Sequence, residues 1–390
     1  MSSPRSTPPD GCPVCGSPDR LSIYDQRFTT IEGGHFLEGY EVCVCAACGM
    51  GYAAHLPSQD ALDRYYRERS KYEERHLEGT YSEWDRLRHA STADFLRQRV
   101  PEASSVLEIG CATGGLLHAL AERGFRHLRG LDPSPTCVRV AVEHYGIPAE
   151  IGYISDSGRL TGPFDLIILD NVLEHVMDIS TALETVSSVL SANGRIFAEV
   201  PNVSDFLANM TAPFQEFSLE HIRYFSPLSL QNFFQRWNWV PVDALAPTSI
   251  LFKRSSPPGA SSLAVDKGTE TALRGYVAAS SRLEEGFRRA IDRMKTLGEP
   301  IIIWGAGSLT LHLLAAGAFD GIPILAFIDS NPRYRRLTIG KHPILSPAAV
   351  ASLPSPILIG SILYQKEIVD QIQRRLKLAN RVFVLDGDVD

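Results

Sequence analysis

The chain has 390 residues, a hydrophobic content of 44% and a formal net charge of −7 at pH 7. That length fits two or three domains, and the acidic balance argues against a protein whose main surface binds nucleic acid. No apolar stretch approaches the roughly 20 residues needed to span a bilayer. The polar, proline-rich start, MSSPRSTPPDG, contains no apolar export segment. We therefore expect a cytoplasmic protein with neither a membrane nor a nucleic acid as partner.

Two Cys-x-x-Cys-Gly units near the start supply four of the seven cysteines. In a reducing compartment such a cluster favours metal over disulfides, and four thiolates form the closed, structural type of Zn²⁺ site. The segments SIYDQRF and YEVCVC alternate as strands do, which predicts a zinc ribbon over residues 1–56. The predicted ligands are Cys12, Cys15, Cys45 and Cys48, with Cys43 as an alternative to Cys45.

The middle of the chain predicts a parallel α/β sheet. A charged, tyrosine-rich stretch at residues 61–100 indicates capping helices, and strands then alternate with helices, as in βαβ units. The predicted strands are residues 104–110, 127–132, 149–154, 164–170 and 195–200. Residues 178–194 are predicted as one helix that ends at Gly194. Two adjoining strands at 238–245 and 248–254 predict an antiparallel hairpin that closes the sheet.

Polar and glycine residues cluster where these strands end, which is where ligands of open parallel sheets bind. The first strand runs into LEIGCATGG, a turn whose glycines allow close approach to the backbone. Ala112 stands where a dinucleotide-binding turn has its middle glycine, and Glu108 precedes the turn. An acid is a poor neighbour for a pyrophosphate and a good one for a cationic amino-acid ligand. The turn therefore favours S-adenosylmethionine over NAD.

Three segments, VLEIGCATGGLLHAL, GLDPSP and FDLIILDNVLEHVMD, resemble in order the first, second and fourth strand motifs of class I S-adenosylmethionine-dependent methyltransferases. The resemblance covers about residues 100–255 and implies S-adenosylmethionine as cofactor. The cofactor contacts expected from it and from the strand ends are Glu108, Gly110, Cys111, Ala112, Gly114, Asp132, Asp156, Asp170 and Asn171.

A polar and aromatic cluster, PFQEFSLEHIRYFS, is the candidate chemical site. Methyl transfer mainly requires alignment of the nucleophile and removal of a proton. His221 suits the role of base, and the adjacent Glu220 is placed to tune or orient it. Tyr224 and His175 are further candidates. A structural role at the start of a helix over 226–237 is the alternative for this cluster.

The last third predicts a second, smaller Rossmann-like unit. A linker-like stretch at 256–268 precedes a charged helix at about 270–297. The segment WGAGSLT then gives a glycine-rich turn, and the following strand ends on Asp329. Thr310 occupies the place of the third glycine of a nucleotide turn. The turn therefore either contacts a nucleotide or forms a wall of the substrate cleft.

The layout of zinc ribbon (1–56), methyltransferase unit with helical cap (57–255) and Rossmann-like unit (256–390) resembles the zinc-containing bacterial sugar C-methyltransferases. The cysteines, NVLEHV, EHIRYFS and WGAGSLT…FIDSNP carry this resemblance. It implies a nucleotide-linked 4-keto-deoxysugar as substrate, and His221 of the Glu220–His221 pair as the base beside the keto group. Ser218 and Leu219 stand where that family has Tyr and His. Its active-site tyrosine has three counterparts to choose from here, Tyr66, Tyr72 and Tyr81.

Other acceptors fit the same motifs. NVLEHV is also similar to the ubiquinone-pathway O-methyltransferases, so the alternative is O- or N-methylation of a quinone or natural-product scaffold. An RNA methyltransferase would need a basic stripe, which the charge balance disfavours. A non-enzymatic binding protein is disfavoured by the intact Glu108 and Asp132. Either a monomer or a homodimer is compatible with the sequence.

Overall fold

A computed structural model describes residues 11–32, 37–56, 81–154, 162–255 and 263–386. The sequence predictions for Asp156, Tyr66 and Tyr72 lie outside these residues. The described chain forms a small antiparallel sheet beside the cysteines and two mixed sheets of seven strands each. This arrangement confirms the predicted α/β fold class. No helix in the described ranges is long and apolar enough to cross a membrane.

Four strands precede the central unit: β1 (Arg20–Arg27), β2 (Ile31–Glu32), β3 (Gly39–Cys45) and β4 (Gly51–Ala54). Strands β1, β3 and β4 pair antiparallel, with β3 in the middle. Strands β1 and β3 confirm the two strands predicted from alternation. Every side chain of β4 is buried, which places this small sheet between other parts of the protein.

The central sheet follows α1 (Glu83–Arg97), which precedes its first strand. Its parallel strands are β5 (Ser105–Ile109), β6 (His127–Asp132), β7 (Ala149–Ile151), β8 (Phe164–Asp170) and β9 (Leu190–Glu199). Its connecting helices are α2 (Gly115–Glu122), α3 (Pro135–Tyr145) and α4 (Ile179–Ser188). The spatial order β7-β6-β5-β8-β9 reverses direction at β5, so the space above β5 and β8 is the switch point where such sheets bind ligands.

The far edge of the central sheet is antiparallel, as predicted. After the two-residue strand β10 (Arg223–Tyr224) and α5 (Pro227–Arg236), strands β11 (Trp239–Ala246) and β12 (Ser249–Arg254) form a hairpin. Strand β12 pairs antiparallel with β9. Helix α5 begins with Ser226 as N-cap and a proline in its first turn, which confirms the predicted helix start.

The predicted helix over residues 178–194 was wrong in its second half. Helix α4 ends at Ser188, and β9 begins two residues later. Leu190 pairs with Phe164 of β8, and Gly194 lies inside β9 rather than at a helix end. The polar LSANG segment has little helical or strand preference of its own, so pairing with the buried neighbour β8 decides its structure.

The C-terminal unit begins with the long helix α6 (Gly268–Lys295). Its remaining elements are β13 (Ile301–Trp304), α7 (Ser308–Ala315), β14 (Ile324–Ile328), β15 (Thr338–Ile339), β16 (His342–Leu345), β17 (Ile357–Ile359), α8 (Gln365–Asp370) and β18 (Val382–Val384). The order β16-β14-β13-β17-β18 repeats that of the parallel central strands. This confirms the second Rossmann-like unit.

Strands are exchanged between the units in a way that the sequence did not predict. Strand β2, from the N-terminal region, pairs with β15 and so completes the C-terminal sheet. Strand β10, which follows the candidate Glu220–His221 pair, pairs with β4 of the cysteine sheet. The buried aromatic side chains of the three regions share one core, which includes Phe28, Tyr40, Phe217, Tyr276 and Phe327.

Asp266 ties three elements together. Its backbone N–H donates to the Cys48 carbonyl at 2.9 Å, and its buried carboxylate accepts hydrogen bonds from the Ser226 hydroxyl and from Gly268 N–H at 2.8 Å. The Thr269 hydroxyl donates to the same carboxylate at 2.6 Å. One side chain thus joins the second cysteine turn to the starts of α5 and α6.

We expect Asp266→Ala to lower the free energy of unfolding by about 2–4 kcal/mol, because it leaves several buried donors without a charged acceptor. Asp292→Ala is the matched control, since Asp292 is exposed and only pairs with Lys295 on the same helix; it should cost less than about 1 kcal/mol. Urea unfolding of both variants measures the difference. Equal losses would contradict the role assigned to Asp266.

Candidate active site

Four cysteine sulfurs converge at the N-terminal end of the molecule. The Sγ atoms of Cys12, Cys15, Cys45 and Cys48 all lie within 4.8 Å of one another. The Cys12–Cys48 and Cys15–Cys45 sulfurs are 3.5 and 3.4 Å apart. A Zn–S distance of about 2.3 Å sets tetrahedral sulfurs about 3.8 Å apart. The cluster therefore fits a closed four-thiolate metal site.

The four thiols of the cluster hold their protons unequally. Hydrogen bonding with Cys12 lowers the pKa of Cys15 to about 7 and also lowers the pKa of Cys45. Hydrogen bonding with Cys15 raises the pKa of Cys12, and Cys15 and Cys45 raise the pKa of Cys48 against an opposing effect of Cys12. The thiolate is the form that binds metal. Cys43 differs: burial raises its pKa to about 12, and its thiol donates to the Tyr52 carbonyl at 3.2 Å. Cys43 thus lies outside the four-sulfur cluster.

The glycine turn after β5 is held against strand β6. Gly110 N–H donates to the Leu131 carbonyl at 2.7 Å, and Ala112 N–H donates to the Asp132 carboxylate at 2.8 Å. Gly114, with a φ of +85°, then begins α2. Glycine takes this left-handed conformation without the clash that a Cβ would cause. The result is a turn made largely of backbone at the switch point of the sheet.

Tyr81 packs on this turn. Its hydroxyl accepts a hydrogen bond from Gly115 N–H at 2.9 Å and is hydrogen-bonded to the Thr113 hydroxyl. A Cβ on Gly115 would lie 2.4 Å from the Tyr81 ring, so only glycine allows the two to meet. Of the three tyrosines considered from the sequence, Tyr81 is the one that the structure describes, and its hydroxyl contacts are with the predicted cofactor turn.

Acidic side chains crowd the carboxyl ends of the central strands. Glu108, Asp132, Asp170 and Glu199 come from β5, β6, β8 and β9. Burial raises the pKa of Glu108 well above its ordinary value, and the nearby Asp170 adds to this effect. Burial also raises the pKa of Glu199. Such a site favours a positively charged ligand and disfavours a pyrophosphate.

Arg88 partly offsets this negative charge. Its guanidinium donates to Asp170 at 2.8 Å and to Glu199 at 3.2 Å. Burial opposes the charge of Arg88, but the neighbouring Asp170 raises the pKa of Arg88 above its ordinary value. The Asn171 amide also donates to Asp170, at 2.7 Å. Asp170 is therefore engaged in holding α1 and β9 at the sheet edge. Cys111 faces the sheet, since its sulfur packs where a Cβ on Gly130 would lie.

Two histidines meet next to this edge. The rings of His175 and His221 lie 4.9 Å apart in a T-shaped arrangement. His175 follows β8 in a short 3₁₀ turn (Leu173–His175), and its Nδ1 lies 3.0 Å from the Glu220 carbonyl oxygen. Nδ1 of His221 lies 3.9 Å from a Glu216 carboxylate oxygen. Glu220 itself is buried. The structure thus brings together three of the four predicted catalytic residues.

The loop that carries Glu220 and His221 is held from both sides. Both backbone N–H groups donate to the Ser218 hydroxyl, and the Ser218 carbonyl accepts from the Tyr40 hydroxyl at 2.7 Å. Ile222 N–H donates to the Glu174 carbonyl at 2.9 Å. Ser218, which replaces the tyrosine of the resembled family, therefore organises the loop.

Tyr224, the fourth predicted catalytic residue, lies in the aromatic core. It is 1% exposed, and its hydroxyl donates to the Tyr40 hydroxyl at 3.4 Å. Burial raises the pKa of Tyr224 above its ordinary range. Its surroundings are those of a packing residue between the cysteine sheet and the C-terminal unit.

The C-terminal unit repeats the geometry of the first glycine turn. Gly305 N–H donates to the Ile328 carbonyl at 2.7 Å, and Ala306 N–H donates to the Asp329 carboxylate at 2.8 Å. The other Asp329 oxygen accepts from Asn331 N–H at 2.9 Å. In the central unit, Ser134 N–H donates to Asp132 in the same way, at 2.8 Å. Both units therefore present a turn and an acid at equivalent strand ends.

The sequence did not single out Arg88, Glu199 or the tie from Ser218 to the His221 loop. Arg88 lies in helix α1 and Glu199 ends strand β9. The predicted order of strands and helices does not show that these two elements meet. A signal was available for Glu199, because it ends a strand on the same edge as Asp170.

The chain is similar in sequence to known methyltransferases. Residues 81–244 match the family described as "Methyltransferase domain". The chain is 25% identical to the C-methyltransferase NovU of Streptomyces niveus, over 97% of this chain and 95% of that protein. It is 34% identical to a ubiquinone biosynthesis O-methyltransferase of Methylobacterium nodulans, but over only 26% of this chain and 42% of that protein. The solved magnesium protoporphyrin IX methyltransferase (ChlM) of Synechocystis PCC 6803, with bound SAH, aligns at a TM-score of 0.40 and 13% identity, over 51% of this chain and 100% of that one.

We expect Cys48→Ser to lower the zinc content by one equivalent per chain and to lower the thermal midpoint of unfolding, since it removes one of four thiolate ligands. Cys43→Ser is the matched control, because Cys43 is also buried but lies outside the cluster. Elemental analysis of the purified proteins measures the metal. An unchanged zinc content in the Cys48 variant, or a lost equivalent in the Cys43 variant, would contradict this assignment.

Proposed function

Because the chain is a class I S-adenosylmethionine-dependent methyltransferase, we propose that it methylates a nucleotide-linked keto-deoxysugar, with His221 as the base. The observation that carries the proposal is the His175–His221 pair beside the acidic edge of the cofactor sheet. The match to a C-methyltransferase along almost the whole chain supports transfer to carbon.

The described residues fit the proposed cofactor. Asp132 ends β6, and its carboxylate, which also accepts from Ala112 and Ser134 N–H, is the proposed acceptor for the ribose hydroxyls. Burial disfavours the charged forms of Glu108 and Glu199, and a bound sulfonium or ammonium group would favour those charged forms. The backbone of residues 110–115 leaves room for a closely approaching ligand. Bound S-adenosylmethionine supplies an electrophilic methyl group there.

The proposed chemistry then needs one proton to be removed. His221 accepts it from the acceptor carbon next to the keto group, which leaves an enolate on the acceptor as the nucleophile. The Glu216 carboxylate, 3.9 Å from His221 Nδ1, favours the imidazolium that results. Ser218 keeps the imidazole in place through the backbone of its loop. Alignment of the acceptor by the protein then supplies most of the rate enhancement that proton removal does not provide.

The nucleotide part of the acceptor is assigned to the C-terminal unit. Its turn at Gly305 and Ala306, with Asp329 at the next strand end, has the hydrogen-bond pattern of the cofactor turn. A ribose hydroxyl pair suits the Asp329 position as it does Asp132. The proposed four-thiolate zinc is structural, since four protein ligands leave no open position.

Calorimetry tests the proposal most simply. S-adenosylhomocysteine is titrated first, and a panel of nucleotide-linked 4-keto-deoxysugars is then added to the loaded protein. Heat from both supports the proposed function. Cofactor heat without any sugar response, together with turnover of a catechol or quinol, favours the O-methyltransferase alternative suggested by the local relatives. No cofactor heat would overturn the cofactor assignment.

We expect Asp132→Asn to weaken S-adenosylhomocysteine binding by at least tenfold, because a charged acceptor of hydrogen bonds is lost (about 1.5–3 kcal/mol). Asp94→Asn is the control, since Asp94 is an exposed acid that pairs with Arg123 away from the strand ends. Calorimetry of both variants gives the affinities. An Asp132 variant that binds like the wild type would contradict its assigned role.

We expect His221→Ala to bind S-adenosylhomocysteine normally and to lower turnover by about 10²–10⁴, the usual contribution of a general base. His127→Ala is the control, because His127 is exposed at the opposite end of strand β6. Mass spectrometry of the methylated product measures turnover. Undiminished turnover in the His221 variant would show that another group takes the proton.

A further inference from the structure

Glu174 is a buried acid that the proposed reaction does not use. It lies in the 3₁₀ turn after β8, with 1% of its surface exposed. Neither carboxylate oxygen accepts a hydrogen bond from another residue that the structure describes. A buried carboxylate whose hydrogen bond comes at most from its own backbone N–H is costly unless a positive charge compensates it. The position therefore calls for a cation or a proton.

His175, the next residue, directs a nitrogen lone pair towards the Glu174 carboxylate. Nδ1 of His175 faces the Glu220 carbonyl at 3.0 Å, and a carbonyl only accepts, so Nδ1 carries the hydrogen. In the neutral ring Nε2 is then the acceptor, and it lies 3.8 Å from the Glu174 carboxylate. Two electron-pair donors thus face each other, with the His221 ring against His175.

We propose that Glu174, His175 and His221 bind a divalent first-row transition ion. One ligand atom from each residue lies within 4.8 Å of the others. An ion with ligands at about 2.0–2.2 Å holds tetrahedral ligand atoms about 3.4 Å apart, so binding would draw the three side chains closer together. Two imidazoles and one carboxylate suit Zn²⁺, Fe²⁺ or Co²⁺.

The surroundings are those of a built site. The Glu220 carbonyl orients His175 through Nδ1, as outer hydrogen-bond partners of metal-binding histidines do. The Ile222 N–H···O=C bond to Glu174 fixes the 3₁₀ turn against the His221 loop. Three protein ligands leave at least one coordination position for water or for an acceptor oxygen. This distinguishes the site from the closed cysteine cluster.

Occupancy of this site has a consequence for His221. An imidazole nitrogen that donates its lone pair to a metal cannot accept a proton with that lone pair. The ion therefore competes with the proton for His221. Enzyme with the ion bound should be less able to deprotonate the acceptor than enzyme without it. The metal site itself does not depend on the identity of the acceptor.

Cobalt titration of the full-length protein, loaded with one equivalent of zinc per chain, tests the proposal. With the cysteines filled by zinc, we expect Co²⁺ to bind stoichiometrically and to show visible d–d absorption without the near-ultraviolet charge-transfer bands of thiolate ligands. Glu174→Gln keeps the shape of the side chain and removes its charge; we expect it, like His221→Ala, to weaken Co²⁺ binding by more than about tenfold. His127→Ala should bind as the wild type does.

Retained S-adenosylhomocysteine binding and an unchanged far-ultraviolet circular dichroism spectrum show that the variants are folded. Wild-type protein that binds no additional Co²⁺ would overturn the proposal and would assign a proton to Glu174. Equal Co²⁺ affinity in the wild type and the Glu174 variant would overturn it as well, because the ion would then lie elsewhere. Neither readout uses a methyl acceptor, so failure of the sugar assignment leaves this test intact.

Discussion

Backbone pairing between β4 and β10 is the constraint on which the candidate site depends. Arg223 and Tyr224 pair with Tyr52 and Gly51, and Ala53 N–H donates to the Ile222 carbonyl at 2.9 Å. The strand that the cysteine cluster stabilises thereby holds the segment directly after His221. The proposed metal of the four cysteines is remote from the chemistry along the chain, yet it supports the loop on which the proposed base lies.

The acidic sheet edge is the second determinant of function. Burial raises the pKa of Glu108 and of Glu199, the neighbouring Asp170 raises both further, and Arg88 donates to Asp170. A cationic cofactor complements this edge, whereas a dinucleotide would bring further negative charge.

Much of the fold was predictable because its signals are local. Period-2 alternation of apolar residues located β1 and β3. The alternation of strand and helix patterns, separated by glycine and proline residues, located the strands of both Rossmann-like units. The errors lie where tertiary pairing outweighs local preference. Leu190 joins β9 because β8 lies beside it, and β2 joins the C-terminal sheet from more than 300 positions away along the chain. Two-residue strands carry no periodicity that a sequence can show.

The site was predictable in its parts but not in its assembly. Strand-end reasoning selected Asp132, and the search for a base in the polar and aromatic cluster selected His221, with His175 as a further candidate; the family resemblance then supported His221. Arg88 remained unnoticed because it comes from a helix outside the βαβ series, and Tyr224 drew attention through its polar neighbours although its ring is packed in the core. The side-chain direction of Tyr224 within the two-residue strand β10 places its ring in the core, and the sequence does not show that direction.

Hydrogen exchange in the Cys48→Ser variant is the measurement that tests the central claim, that the cysteine sheet holds the His221 loop. Exchange is followed in peptides that cover 39–54, 105–132 and 218–224, in the variant and in the wild type. The account predicts faster exchange in 218–224 together with 39–54, while the parallel strands in 105–132 stay protected. Wild-type protection of 218–224 in a variant whose 39–54 segment exchanges freely would contradict it.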